Sequence, residues 1–187
     1  LIYREAAIKM GLLEHGPLHD AFRDRYLEEL HSELLALASG DPNALEIRRP
    51  ELLPGIVTLM AELSKRDDIA IGLVTGNYQR AVPIKFGSVG LELKAFIAGG
   101  FGDDADNRPG LVPVALDRMQ RALGVSLRAS DAIIVGDTVR DVDCALRNGA
   151  RCLAVGTGYV PLEELRRAGA HRAVADLSDP EALLSLL

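Results

Sequence analysis

The sequence predicts an α/β fold: a mainly parallel sheet with helices on both faces, preceded by a small helical lobe. Three observations predict it. Residues 1–50 carry apolar spacing of helical period and no convincing strand. From Pro54 onward, short Ile- and Val-rich runs alternate with helical patterns, the order of a parallel sheet with crossover helices. Polar, glycine-containing turns follow two of those runs, at the rim where such sheets bind ligands.

The elements follow in order. Ala7, Met10, Leu12 and Leu13 mark a first short helix, broken by Gly16-Pro17. A longer helix runs from about His19 to Ala38, with Phe22, Tyr26, Leu27, Leu30, Leu34 and Leu37 on one face. Gly40-Asp41-Pro42-Asn43 ends it. A helix over residues 55–65 precedes the strand Ile69–Thr75, and Gly76-Asn77 turns into a helix reaching Phe86. A short strand near Phe96–Ala98 leads into the loop Gly99–Arg108. Gly124 stops the helix Leu111–Leu123. The strand Ala132–Val135 then gives way to a helix ending at Asn148, with Gly149 as its C-cap, and to the strand Cys152–Val155. No internal repeat or low-complexity segment interrupts this order.

Composition narrows the function classes. With 187 residues, 48% of them hydrophobic, the chain can bury a core of one domain plus a modest lobe. A net charge of −6 without any basic block argues against a nucleic-acid surface, so an anionic ligand must be held by local groups. Cys144 and Cys152 lack metal-ligand spacing and suit a reducing compartment. No apolar run approaches a membrane span and the first residues do not read as a secretory signal, so the expected setting is the cytoplasm. His15, His19, His31 and His171 have no ligand spacing, and the acidic loop Asp103, Asp104 and Asp106 reads as solvated.

Three features can carry chemistry. In Leu73-Val-Thr-Gly-Asn77, a hydroxyl at a strand end precedes backbone N–H groups that can bind phosphate; alternatively Thr75 or Asn77 caps the next helix. Arg108, just before the helix-opening Pro109, is either a phosphate clamp or a solvated loop arginine. In Gly136-Asp-Thr-Val-Arg-Asp141, Asp137 and Asp141 crowd one helix start, as a hard cation such as Mg²⁺ would require. Thr138 and Asp141 equally fit a capping box.

The order of these motifs resembles the haloacid dehalogenase-like hydrolase superfamily, and within it the phosphoglycolate phosphatase-like branch. Leu53-Pro-Gly55, Ala145-x-x-x-Gly149-Ala150 and Leu153-Ala-Val-Gly-Thr-Gly158 extend the resemblance over about residues 50–160. It implies a three-layer Rossmann-like core over residues 51–187 with a partial helical cap at 1–50. It implies a Mg²⁺-dependent phosphatase acting on a small phosphorylated metabolite through an aspartyl-phosphate; composition and charge add the expectation of no nucleic-acid and no membrane partner. Thr75, helped by the backbone of Gly76 and Asn77, is expected to hydrogen-bond the phosphoryl group. Arg108 stands where the family has a lysine. Asp137 is expected to bind Mg²⁺ directly, with Asp141 supporting it from behind.

One part of the family pattern is absent. The nucleophile belongs to an Asp-x-Asp-x-Thr run on a first strand, and no such run occurs here. The expectation is therefore a fragment without that strand, inactive as it stands. The strands carrying Thr75 and Asp137 are then expected about 9–10 Å apart, unpaired with each other. A sugar phosphomutase, a 2-haloacid dehalogenase and a non-catalytic binding protein of the same fold are the alternatives.

Overall fold

A computed structural model describes residues 17–41 and 50–187. The expected short helix at Ala7–Leu13 lies outside them.

Helix α1 spans Pro17–Ser39 and buries Leu27, Leu34 and Leu37, the stripe its spacing anticipates. Helix α2 (Ile56–Leu63) leads to strand β1, Leu73–Val74. Helix α3 (Ala81–Ser88) and strand β2 (Gly99–Gly100) follow, then helix α4, Leu111–Leu123, closed by Gly124 as anticipated. Strand β3 (Ile133–Gly136), helix α5 (Val139–Asn148) and strand β4 (Arg151–Val155) come next. Gly149 caps α5 at φ 71°, a left-handed conformation that favours glycine. Beyond the elements the sequence predicts lie helix α6 (Leu162–Arg167), strand β5 (Arg172–Val174) and helix α7 (Glu181–Leu184).

Among the described residues all strand pairs are parallel, in two sheets: β1-β2 and β3-β4-β5. Strands β1 and β3 are not paired with each other among the described residues. Backbone bonds from Ile97 to Ile71, Leu73 to Ala98 and Thr75 to Gly100 extend the first ladder beyond its two-residue strands. The ladder thus takes in Ile97 and Ala98 of the expected strand near Phe96–Ala98 and runs on through Gly99–Gly100. The close approach of α4 selects Gly100, where a Cβ would lie 2.3 Å from the Leu111 carbonyl oxygen; one on Gly99 would instead meet Leu73 at 2.9 Å.

The period-two alternation of β4 builds the layers. Leu153 and Val155 face one cluster with Leu59 and Leu63 of α2 and Leu183 of α7. Cys152 and Ala154 face the other, with Val142 and Ala145 of α5 and Leu165 of α6. Each fully buried leucine there contributes roughly 1.5–3 kcal/mol. The result is a three-layer α/β fold. Residues at the carboxyl ends of β1 and β3 stand at its rim.

Helix α1 packs on α3. Leu27 of α1 meets Tyr78 and Ala81 in a buried cluster, and Arg80 pairs with Asp24 at 2.7 Å. This explains why α3 starts at Ala81 rather than directly after Asn77: Tyr78, 3% exposed, must turn under α1 first. No helix among the described residues is long and apolar enough to cross a membrane.

Candidate active site

The capping readings separate in the structure. Helix α3 has Arg80 at its N-cap and no side-chain cap, so neither Thr75 nor Asn77 serves that end. Their side chains bond each other. The Asn77 amide Nδ2 donates to Thr75 Oγ1 at 2.8 Å, and the Asn77 backbone N–H donates to the same oxygen at 3.2 Å. The Asn77 N–H is thus engaged internally. Lys85 of α3 donates to Asn77 Oδ1 at 2.7 Å.

At β3 the capping box forms. Thr138 Oγ1 accepts from the Asp141 backbone at 3.3 Å, and Asp141 Oδ2 accepts from the Thr138 backbone at 3.1 Å and hydroxyl at 2.7 Å. The other Asp141 oxygen, Oδ1, accepts from Arg108 Nη2 at 2.6 Å. Asp141 is 4% exposed, so a charge-assisted bond from the guanidinium offsets the cost of burying its carboxylate. Gly136 makes room for it, since a Cβ there would lie 2.3 Å from Asp141 Cγ.

Asp137 differs. Among the described residues its half-buried carboxylate has no hydrogen bond or ion pair. It lies against the backbone of Gly158, in the turn after β4, where a Cβ would come within 2.3 Å of Asp137 Oδ2. The two acids of one motif thus separate: Asp141 is consumed by the helix cap and Arg108, while Asp137 keeps its oxygens open. Magnesium takes one or two protein carboxylates and completes its shell with water and phosphate. An unpartnered carboxylate in a close-fitting glycine cradle fits that demand. Among the described residues no three His, Cys, Asp or Glu side chains cluster to hold a metal by themselves.

Arg108 is anchored by more than its charge. Its carbonyl accepts from Cys144 Sγ at 3.4 Å, and the next carbonyl, Pro109, accepts from Asn148 Nδ2 at 2.9 Å. Its Nε is buried without a partner. Burial raises the Cys144 thiol to about 11 and the Cys152 thiol to about 12, so neither is a nucleophile at neutral pH.

Elsewhere in the acidic loop, Asp104 is no solvated residue. Arg118 of α4 grips it with two bonds, at 2.6 and 2.7 Å, and stacks over Phe101. Burial raises the Asp104 carboxyl, but the Arg118 bonds and the Phe101 N–H outweigh it and hold the group below its usual range. A cleft of about 460 Å³ on the β2 side, lined by residues including Leu73, Val82, Phe96 and Arg118, contains none of Thr75, Arg108, Asp137 and Asp141.

Sequence reasoning passed over Lys85 and assigned Gly158 no role. Gly158 lay within a quoted motif, whereas a single helical lysine carries no local signal.

A HAD-hydrolase-like family model matches residues 109–180. No curated protein matches the chain. Among solved structures, CbbY of Rhodobacter sphaeroides in complex with xylulose-1,5-bisphosphate is similar at TM-score 0.61 and 22% identity, over 86% of this chain and 63% of that one. A hydrolase of Pseudomonas syringae is similar at 0.57 and 24%, over 71% and 61%. A Thermotoga maritima protein described as a beta-phosphoglucomutase is similar at 0.58 and 19%, over 89% and 91%. The chain therefore spans 61–63% of the length of the first two.

Proposed function

We propose that this chain, which has the fold of the haloacid dehalogenase-like hydrolases, belongs to a Mg²⁺-dependent phosphatase of small phosphorylated metabolites. The observation that carries the reading is the free Asp137 carboxylate beside a fully engaged Asp141. The similarity to CbbY, solved with xylulose-1,5-bisphosphate and with phosphate, supports the substrate class.

Each residue has a separate task in this reading. Thr75 donates its hydroxyl proton to a phosphoryl oxygen. Arg108 sets a planar cation over the same group while tied to Asp141. Asp137 holds Mg²⁺, which when bound offsets the charge that develops on the transferring phosphoryl group. Asp141 fixes the approach of Arg108 and the start of α5 rather than touching the ligand. Helix α1, packed behind Tyr78, forms part of a cap that determines which metabolite enters. The attacking aspartate implied by the resemblance is not found in an Asp-x-Asp-x-Thr run here, so binding tests the reading more directly than turnover.

The experiment is a titration of the chain with inorganic phosphate, with and without Mg²⁺, followed by NMR. Phosphate is expected to bind, Mg²⁺ to strengthen it, and Asp137→Ala to remove the Mg²⁺ effect. Phosphate binding that is indifferent to Mg²⁺ in the wild type overturns the metal assignment.

A further inference from the structure

The chain Lys85–Asn77–Thr75 has a direction. An ammonium group has three donors and no acceptor. Lys85 Nζ, 2.7 Å from the Asn77 side chain, can only face its oxygen. That fixes the amide orientation and turns Nδ2 toward Thr75, where it lies 2.8 Å from Oγ1. The Asn77 backbone N–H reaches the same oxygen at 3.2 Å. A hydroxyl has two lone pairs and one proton. Both lone pairs of Thr75 Oγ1 therefore face Asn77, and the proton points away. No acceptor among the described residues receives it.

We propose that Lys85 is a positioning residue that fixes the Thr75 hydroxyl as a donor toward a phosphoryl oxygen. The inference rests on the phosphatase reading for the identity of the acceptor, but the orientation of Asn77 does not depend on it. Without Lys85 the amide can rotate. Its oxygen then faces Thr75 and takes the proton that a phosphoryl oxygen would receive. Lys85 is half-buried on α3 and has no carboxylate partner among the described residues. The helix thus presents a cation to a neutral amide, an arrangement that packing alone does not require.

The test uses the full chain with inorganic phosphate as probe, in the wild type, Thr75→Val, Lys85→Met, Lys85→Arg and the double variant Thr75→Val/Lys85→Met. Circular dichroism verifies that each is folded. Loss of one hydrogen bond to a charged ligand is expected to weaken phosphate binding about tenfold in Thr75→Val. Lys85→Met is expected to match it, Lys85→Arg to restore it, and the double variant to be no weaker than Thr75→Val alone. The Asn77 side-chain amide resonances are expected to move in Lys85→Met without any phosphate present. Unchanged affinity in Lys85→Met, or losses that add in the double variant, overturns the inference. If Thr75→Val leaves phosphate binding intact, the phosphatase reading fails. The amide resonances then still decide whether Lys85 orients Asn77.

Discussion

Replacing Gly158 by alanine separates metal binding from stability. The backbone at Gly158 is not in the left-handed region, so alanine adds no conformational strain there. Its Cβ would stand 2.3 Å from Asp137 Oδ2, 2.9 Å from Cγ and 3.1 Å from Cβ. The carboxylate must retreat by about 1 Å to reach ordinary contact. It has no partner to lose, so the cost to folding is that of an off-rotamer side chain, about 0.5–1.5 kcal/mol. For a domain of this size each kcal/mol lowers Tm by roughly 2–4 °C. Disturbing the support that orients a metal ligand typically costs about 10–100-fold in metal affinity. Gly158→Ala is thus expected to melt within a few degrees of the wild type while losing most of its Mg²⁺-dependent phosphate affinity, as Asp137→Asn does. Calorimetric titration with Mg²⁺ in the presence of phosphate measures this. If Gly158→Ala retains full affinity while Asp137→Asn loses it, the cradle does not position the metal ligand. If both retain it, Asp137 is not the ligand.

Other outcomes follow from the same contacts. Asp141→Ala leaves Arg108 without its partner and removes the cap of α5. It is expected to cost about 3 kcal/mol in urea unfolding, toward the low end for a broken buried pair because 28% of the Arg108 side chain is exposed. Leu165→Ala, at a position with no exposed surface, is expected to cost about 2–5 kcal/mol in the same assay. Because the folded Asp104 carboxyl titrates below its usual range, its contribution is fully present above the unfolded carboxylate pKa. It is lost as pH falls through the folded value. Asp104→Asn is therefore expected to reduce the acid dependence of Tm below pH 4. With thiols raised to about 11 and 12, Cys144 and Cys152 are expected to resist alkylation at pH 8 until the chain unfolds.

Much of the fold is legible where local signals agree. Helix α4 is bounded by Pro109 ahead of it and Gly124 behind it, and α5 by Thr138 and Gly149. The second strand is less legible because Gly99-Gly100 has no strand propensity. Gly100 there leaves room for Leu111 of α4, a contact that local propensity does not encode. The elements after Val155 are short and gain their stability from packing: Leu165 is buried against Cys152 and Ala154, which local periodicity does not encode. At the site, the sequence marks Asp137 and Asp141 as a pair but not which of them is engaged. That depends on Arg108, 33 residues away in the chain. Lys85 acts on Asn77 from eight residues away, across the turn that buries Tyr78, so no helical repeat reveals it.

The division of the strands into two ladders bears on motion. No backbone bonds zip β1 to β3 among the described residues, and side chains join the two ladders: α4 packs against β1, β2 and α5, and Arg108 and Asn148 lace the loop before α4 to α5. Amide hydrogen exchange is therefore expected to resolve two cooperative units. The β4 amides, bonded to β3 and holding β5, should exchange at the global limit, and those of residues 71–75 through a cheaper, partial opening. Thr75 moves with one unit and Asp137 with the other. A ligand that touches both would close that partial opening, and slowed exchange at residues 71–75 would report its binding before any chemistry occurs.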